Sequence, residues 1–190
     1  MASRAPGLRL AVGAVAGRSG EYNRLAEPGW ADPLDTSYSQ KNGGRWNAPG
    51  AFRALCLNDT IGTARIQVLH KLAGLPYGPE DLEPDQQHDL VRVDVPRGSY
   101  LDCVSEFGLV AVGLPRTYPR HRNGRPVSHA TCQPIGQQAF DGDLPGIACR
   151  CTATGATATS EELCFFDRPG QARPRLVSRT PFADWWWEES

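Results

Sequence analysis

The sequence predicts an α+β protein, and three observations carry that reading. Short segments alternate apolar and polar residues, most clearly at residues 90–95 (LVRVDV), which is the pattern of half-buried strands. One segment, residues 60–72, instead places Ile61, Ala64, Val68 and Leu72 at helical spacing, an apolar stripe with Arg65 and Gln67 pointing elsewhere. Finally, 20 glycines and 16 prolines in 190 residues cut the chain into short elements joined by many turns.

Taken in order, residues 1–20 read as a flexible N-terminal arm. Arg4, Arg9, a short apolar stretch and small residues around Ala14 faintly resemble a signal peptide, but Gly13 interrupts the stretch. Residues 22–26 form a first short strand, ended by the Glu27-Pro28-Gly29 turn, and residues 30–42 a polar loop. Residues 51–57 alternate well enough for a strand, after which Asn58 or Asp59 is placed to cap the helix. Three prolines make residues 74–87 a connecting loop. The 90–95 strand is expected to stop at Pro96, with another short strand at 100–104. Residues 109–126 read as loop, ending in a local basic cluster of Arg116, Arg120, His121, Arg122 and Arg125. A short helix is expected at 132–140, and strands at 146–151 and 163–166 as partners. Glu161 and Glu162, side by side before the last strand, are expected in an exposed turn. The tail, 169–190, reads as irregular. Its Trp185-Trp186-Trp187 run is expected to pack back on the domain or into a dimer contact, with a homodimer as the expected assembly.

The stretch with the most chemistry is Gly43-Gly44-Arg45-Trp46-Asn47-Ala48-Pro49-Gly50. Glycines and a proline make a tight corner in which backbone can approach a ligand closely. Within that corner sit a guanidinium fork suited to phosphate or carboxylate oxygens, an indole and an amide. The plain alternative is a surface hairpin with a half-buried Trp.

Composition excludes several classes. Lys plus Arg is 20 against Asp plus Glu 21, a net charge of −1, so no dedicated nucleic-acid or membrane surface is expected. No apolar run approaches the ~20 residues a membrane helix needs. The six cysteines include no CxxC pair and no Cys/His grouping at zinc spacing, so no metal is expected. Most lie in apolar surroundings and read as small core residues, which fits a reducing, cytoplasmic setting.

With Arg24, the GGRWNAPG corner, the strand and helix after it, and the GIACRC segment in hand, the chain resembles the RES domain family. These are bacterial toxins, usually encoded beside an Xre-type antitoxin. The resemblance spans residues 22–167 and gives a domain of 21–168. It implies an ADP-ribosyltransferase-like fold: a mixed, largely antiparallel sheet with flanking helices around an NAD cleft. It also implies NAD as the substrate, cleaved between nicotinamide and ribose, with the ADP-ribosyl group passed to water, phosphate or a protein side chain. Arg24 and Arg45 then match the family's two arginines, both suited to the dinucleotide's phosphates. Gly44, Trp46, Asn47 and Cys56 join them in the implied NAD site.

Three positions depart from the family pattern. Its helix Glu falls on Gln67, its Ser on Cys151, and its Tyr on Cys56. A carboxylate near the reacting ribose stabilises the positive charge that develops as nicotinamide leaves, whereas an amide offers a hydrogen bond without charge. Glu161 and Glu162 are the alternative source of that carboxylate, against the exposed turn expected for them. The resemblance therefore leaves two readings: an NAD-cleaving enzyme using Arg24, Arg45, Gln67 and Cys151, or a catalytically impaired relative that binds a nucleotide or a partner. A thiol hydrolase, pairing Cys149 or Cys151 with His70, His88, His121 or His129, finds no supporting spacing.

Overall fold

The two longest strands run well past the segments that the sequence shows as strands. In the computed structural model, which describes residues 14–187, the first strand β1 runs Val15–Ala26 and pairs along its whole length with β3, Asp89–Cys103. The expected arm of residues 1–20 is thus corrected: residues 15–20 belong to the sheet, and those before 14 lie outside the described residues. Pro96 does not end its strand. Gly20 pairs with Val95 and Arg18 with Gly98, so Pro96 and Arg97 together oppose Ser19 in a bulge, where a residue without an N–H costs the ladder nothing.

The remaining strands are β2 (Arg53–Asn58), β4 (Gly146–Arg150), β5 (Glu161–Asp167) and β6 (Arg175–Thr180). Their order is β1-β2-β5-β4-β3-β6, and because β1 also pairs with β3 the first five close into a ring. Only β3 and β4 run parallel, so the sheet is mixed and largely antiparallel, as the sequence predicts. The tail is not irregular: β6 continues the sheet at β3, and a short helix α5 (Phe182–Trp185) buries Trp185 against the domain.

Four more helices flank the sheet. They are α1 (Ser37–Asn42), α2 (Ile61–Leu72), α3 (Glu106–Ala111) and α4 (His129–Asp141). Helices α1 and α3 replace expected loops; each is six residues long, too short to show a helical period. The cap of α2 is Thr60 rather than Asn58 or Asp59, its hydroxyl accepting the Thr63 N–H at 3.0 Å.

Alternation along β2, β5 and β4 sends side chains to two buried faces. One face contributes Leu55, Leu57, Ala148, Leu163 and Phe165 to an apolar core completed by β1 and β3. The other contributes Ala54, Ile147, Cys149, Cys164 and Phe166 to a core roofed by α3, α4 and Trp46. A third cluster seats Ala64 and Val68 of α2 against Leu90, Phe182 and Trp185.

Candidate functional site

The site lies on the second of those faces, where its apolar packing gives way to polar side chains. Strand register sets its plan: Cys56 of β2 stands opposite Cys164 of β5, Asn58 opposite Glu162, and Cys149 of β4 opposite Glu162 from the other side. Residues 56 and 58, 162 and 164, and 149 therefore share one face by the two-residue period of a strand.

A cleft of about 1020 Å³ opens over this patch, lined among others by Arg24, Trp30, Gly44, Asn47, Cys56 and Gln67. A smaller cavity of about 30 Å³ adjoins it, sharing Asn47 and Cys56, and is lined by Arg45, Trp46, Cys149, Glu162 and Cys164. The structure thus brings Arg24 to the large cleft and Arg45 to the small cavity beside it, and both guanidinium charges act on Cys56, which lines both. Among the described residues neither arginine forms an ion pair. Arg45 Nη1 donates to the Val127 carbonyl at 3.1 Å, while Arg24 Nε is buried with no hydrogen-bond partner. Burial lowers the Arg24 pKa, against the opposing pull of Cys56, Asp32 and Asp35.

The glycine corner behaves as its composition implies, with the roles redistributed. Gly43 adopts φ 72°, and a Cβ there would sit 2.7 Å from the Pro49 nitrogen, so the turn requires glycine. The Gly44 N–H donates to the Asn47 carbonyl at 2.8 Å, closing the corner. Asn47 is buried, and its amide nitrogen is spent on the Ser39 and Phe52 carbonyls at 2.8 and 3.0 Å, so this side chain braces the corner. Trp46 is likewise core: only 3% exposed, it packs near Tyr118 and reaches only the small cavity. Gly136 of α4 lies against it so closely that a Cβ would run into the Trp46 carbonyl.

Two aromatic rings line the large cleft, Tyr38 of α1 and Trp30, both of which the sequence places in a polar loop; Trp30 is the one beside Arg24. Arg24 Cζ lies 5.4 Å from its ring centroid. Arg179 on β6 holds that loop by donating to the Trp30, Glu27 and Pro28 carbonyls at 2.7–3.0 Å while pairing with Asp89 at 2.6 Å. Nothing local to either residue signals this contact.

Gln67 is delivered by α2 to the edge of the patch. Its Oε1 accepts from Asn58 at 3.3 Å, and its Nε2 donates to Glu162 Oε1 at 2.9 Å. Glu162 also accepts the Thr152 N–H at 3.3 Å. The expected exposed turn at Glu161 and Glu162 is therefore corrected: both lie in β5, Glu161 is buried, and Glu162 sits half-buried beside Gln67. Cys151 lies in the same cluster, in contact with Glu162 and Gln67 but closed off from both cavities. Burial first, then Glu162, pushes its thiol up to about 12, which makes it a poor nucleophile. Cys56 is the opposite case. Its hydrogen bond with Cys164 lowers its pKa, and Arg24 and Arg45 act in the same direction, against burial and Glu162.

By sequence, no family model and no curated protein matches the chain. A solved structure does. The chain shares its fold with a chain of the M. tuberculosis MbcT–MbcA toxin–antitoxin complex, at a TM-score of 0.69 over 90% of both chains and 22% identity. At that identity the likeness establishes a common fold, with the sheet and flanking helices described above.

Proposed function

We propose that the protein is a RES-type toxin that cleaves NAD at the nicotinamide–ribose bond. The observation that carries this reading is the pair of guanidinium groups, Arg24 and Arg45, in adjoining cavities that share Cys56, neither with an ion pair among the described residues, with the Glu162 carboxylate on the same patch. A diphosphate supplies the anion that Arg24, with its orphaned Nε, lacks. The cleft is also of the size that takes a dinucleotide-sized ligand. Support comes from the shared fold with a toxin–antitoxin structure and from the resemblance of the GGRWN corner.

In this reading Arg24 and Arg45 hold the diphosphate, the Gly44 backbone lets it approach, and Trp30 offers a stacking face. As nicotinamide departs with the electrons of the C–N bond, positive charge grows on the ribose. Gln67 orients a ribose hydroxyl, and Glu162, which Gln67 itself holds, supplies the negative charge that an amide lacks. The family's Glu is thus moved from helix to strand by one hydrogen bond. Cys151 keeps the small polar position of the family's Ser, and Cys56 that of its Tyr. The ADP-ribosyl group passes to water, phosphate or a protein side chain. The setting is the cytoplasm, the neutralising partner an Xre-type antitoxin, and the assembly a homodimer.

Expression in a bacterial host tests the reading. The native chain is expected to arrest growth with a fall in cellular NAD, and Arg45→Ala to do neither. Arrest with NAD unchanged would overturn it. A second reading, binding without cleavage, is favoured by one observation, the amide at Gln67. It requires that the native chain bind NAD intact and that Gln67→Glu gain cleavage.

A further inference from the structure

Cys56, in the cleft, and Cys164, behind it, form a thiol pair whose pairing no step of the NAD reaction uses. Cys56 and Cys164 are register partners on antiparallel strands, so their side chains rise from the same face. Directly opposed residues have Cα atoms ~4.5–5.5 Å apart, within the ~4.4–6.8 Å span that a disulfide bridges. The two thiols already hydrogen-bond to each other. They differ in access: Cys56 is exposed in the cleft, whereas Cys164 is buried behind it. Two guanidinium charges act on Cys56, in the electropositive, open surroundings in which a thiol becomes reactive.

We propose that Cys56 is an oxidation site whose resolving partner is Cys164, so that a peroxide closes the pair into a disulfide and disables the cleft. The Cys56 thiolate attacks the peroxide; an S–O bond forms, the O–O bond breaks, and hydroxide leaves. Cys164 then attacks the Cys56 sulfur, forming the S–S bond and releasing the sulfenic oxygen as water with the Cys164 proton. Two thiols lose two electrons, and hydrogen peroxide becomes two waters. The bond ties the Cys56 sulfur to β5 and removes the thiol that lines both cavities. Selectivity for the first step follows from the surroundings of the other thiols. Burial raises the pKa of Cys103, Cys132, Cys149 and Cys151, and the Cys56 contact and burial raise that of Cys164, while that of Cys56 is lowered. Cys56 therefore meets the peroxide, and Cys164 reacts only by its contact with it.

The effect on activity rests on the NAD reading; the disulfide does not. The test treats the purified full chain with limiting hydrogen peroxide and maps its peptides without reduction. A Cys56–Cys164 linked peptide is expected, with loss of two hydrogens from the intact mass. Free Cys164 beside an over-oxidised or untouched Cys56 overturns the site, whether or not the protein cleaves NAD. In parallel, peroxide is expected to suppress nicotinamide release reversibly by dithiothreitol. In Cys164→Ser the loss is expected to resist dithiothreitol, because Cys56 continues to the sulfinic acid. A mapped disulfide with NAD cleavage undiminished overturns the switch and leaves the NAD reading standing.

Discussion

Glu161 and Glu162 are neighbours on one strand, and the two faces of that strand give them opposite work. Glu161 points to the β1 side, where Arg18 donates to it at 2.7–3.0 Å and the Tyr22 hydroxyl at 3.0 Å. Its charge is neutralised by a cation, and the contact joins β1 to β5. The Glu162 side chain is on the cleft side, where the Gln67 amide, the Thr152 N–H and the Cys151 thiol hold it. Those donors orient it without neutralising it. A carboxylate with a cation builds the fold, whereas one held by neutral donors keeps its field, which in the proposed reaction acts on the substrate.

That contrast breaks or sharpens under substitution. The largest effect is expected from Glu162→Gln, which should lower the turnover of NAD by ~10²–10³-fold while leaving stability and the KM for NAD nearly unchanged. Steady-state nicotinamide release and thermal unfolding, measured together, separate the two. Glu161→Gln should do the reverse. Losing charge-assisted hydrogen bonds costs about 1.5–3 kcal/mol, read as a lower urea midpoint with the reaction in the surviving native protein intact. Equal effects of the two variants on both readouts would erase the distinction between the faces.

Smaller effects bear on how Glu162 is held. Thr60→Ala removes the cap of the helix that carries Gln67 and should cost about 1 kcal/mol of unfolding free energy. The smallest concerns pH. Burial, and then Lys71 at 2.9 Å, lowers the His88 pKa below 6.5. In the window between that lowered value and 6.5 the unfolded chain binds more protons than the folded one, so this contribution to stability is lost as pH falls through it. His129, lowered by burial and Arg45, adds with the same sign. A modest fall in Tm from pH 7 downward is expected, and His88→Gln should flatten it.

How much of this is legible in the sequence follows the same division. Where both partners of a contact lie in a periodic segment, the pattern shows it: β2, α2, and the antiparallel β4–β5 pair fall where alternation and helical spacing put them. The turn at the glycine corner was also readable, since Gly43 there takes a positive φ within a local run of glycine and proline. The first half of β1, with Gly17, Ser19 and Gly20, has no apolar alternation; its partner β3 makes it a strand. The β6 strand carries exposed Leu176 and Val177 and takes its register from β3 in the same way. Trp30 was hidden for a related reason, since Arg179, distant in sequence, holds its loop. Glu162 was legible as a carboxylate for the site but not as a strand residue, because the register of β5 is set by β2 and β4. Trp46 and Asn47 are both buried, and the Asn47 amide nitrogen braces the corner.

The most direct test is a time course of purified protein with NAD, following nicotinamide with and without inorganic phosphate. The account expects nicotinamide to appear in step with NAD loss over many turnovers, and Arg24→Ala to abolish it. NAD left intact by an equimolar amount of folded protein would contradict it.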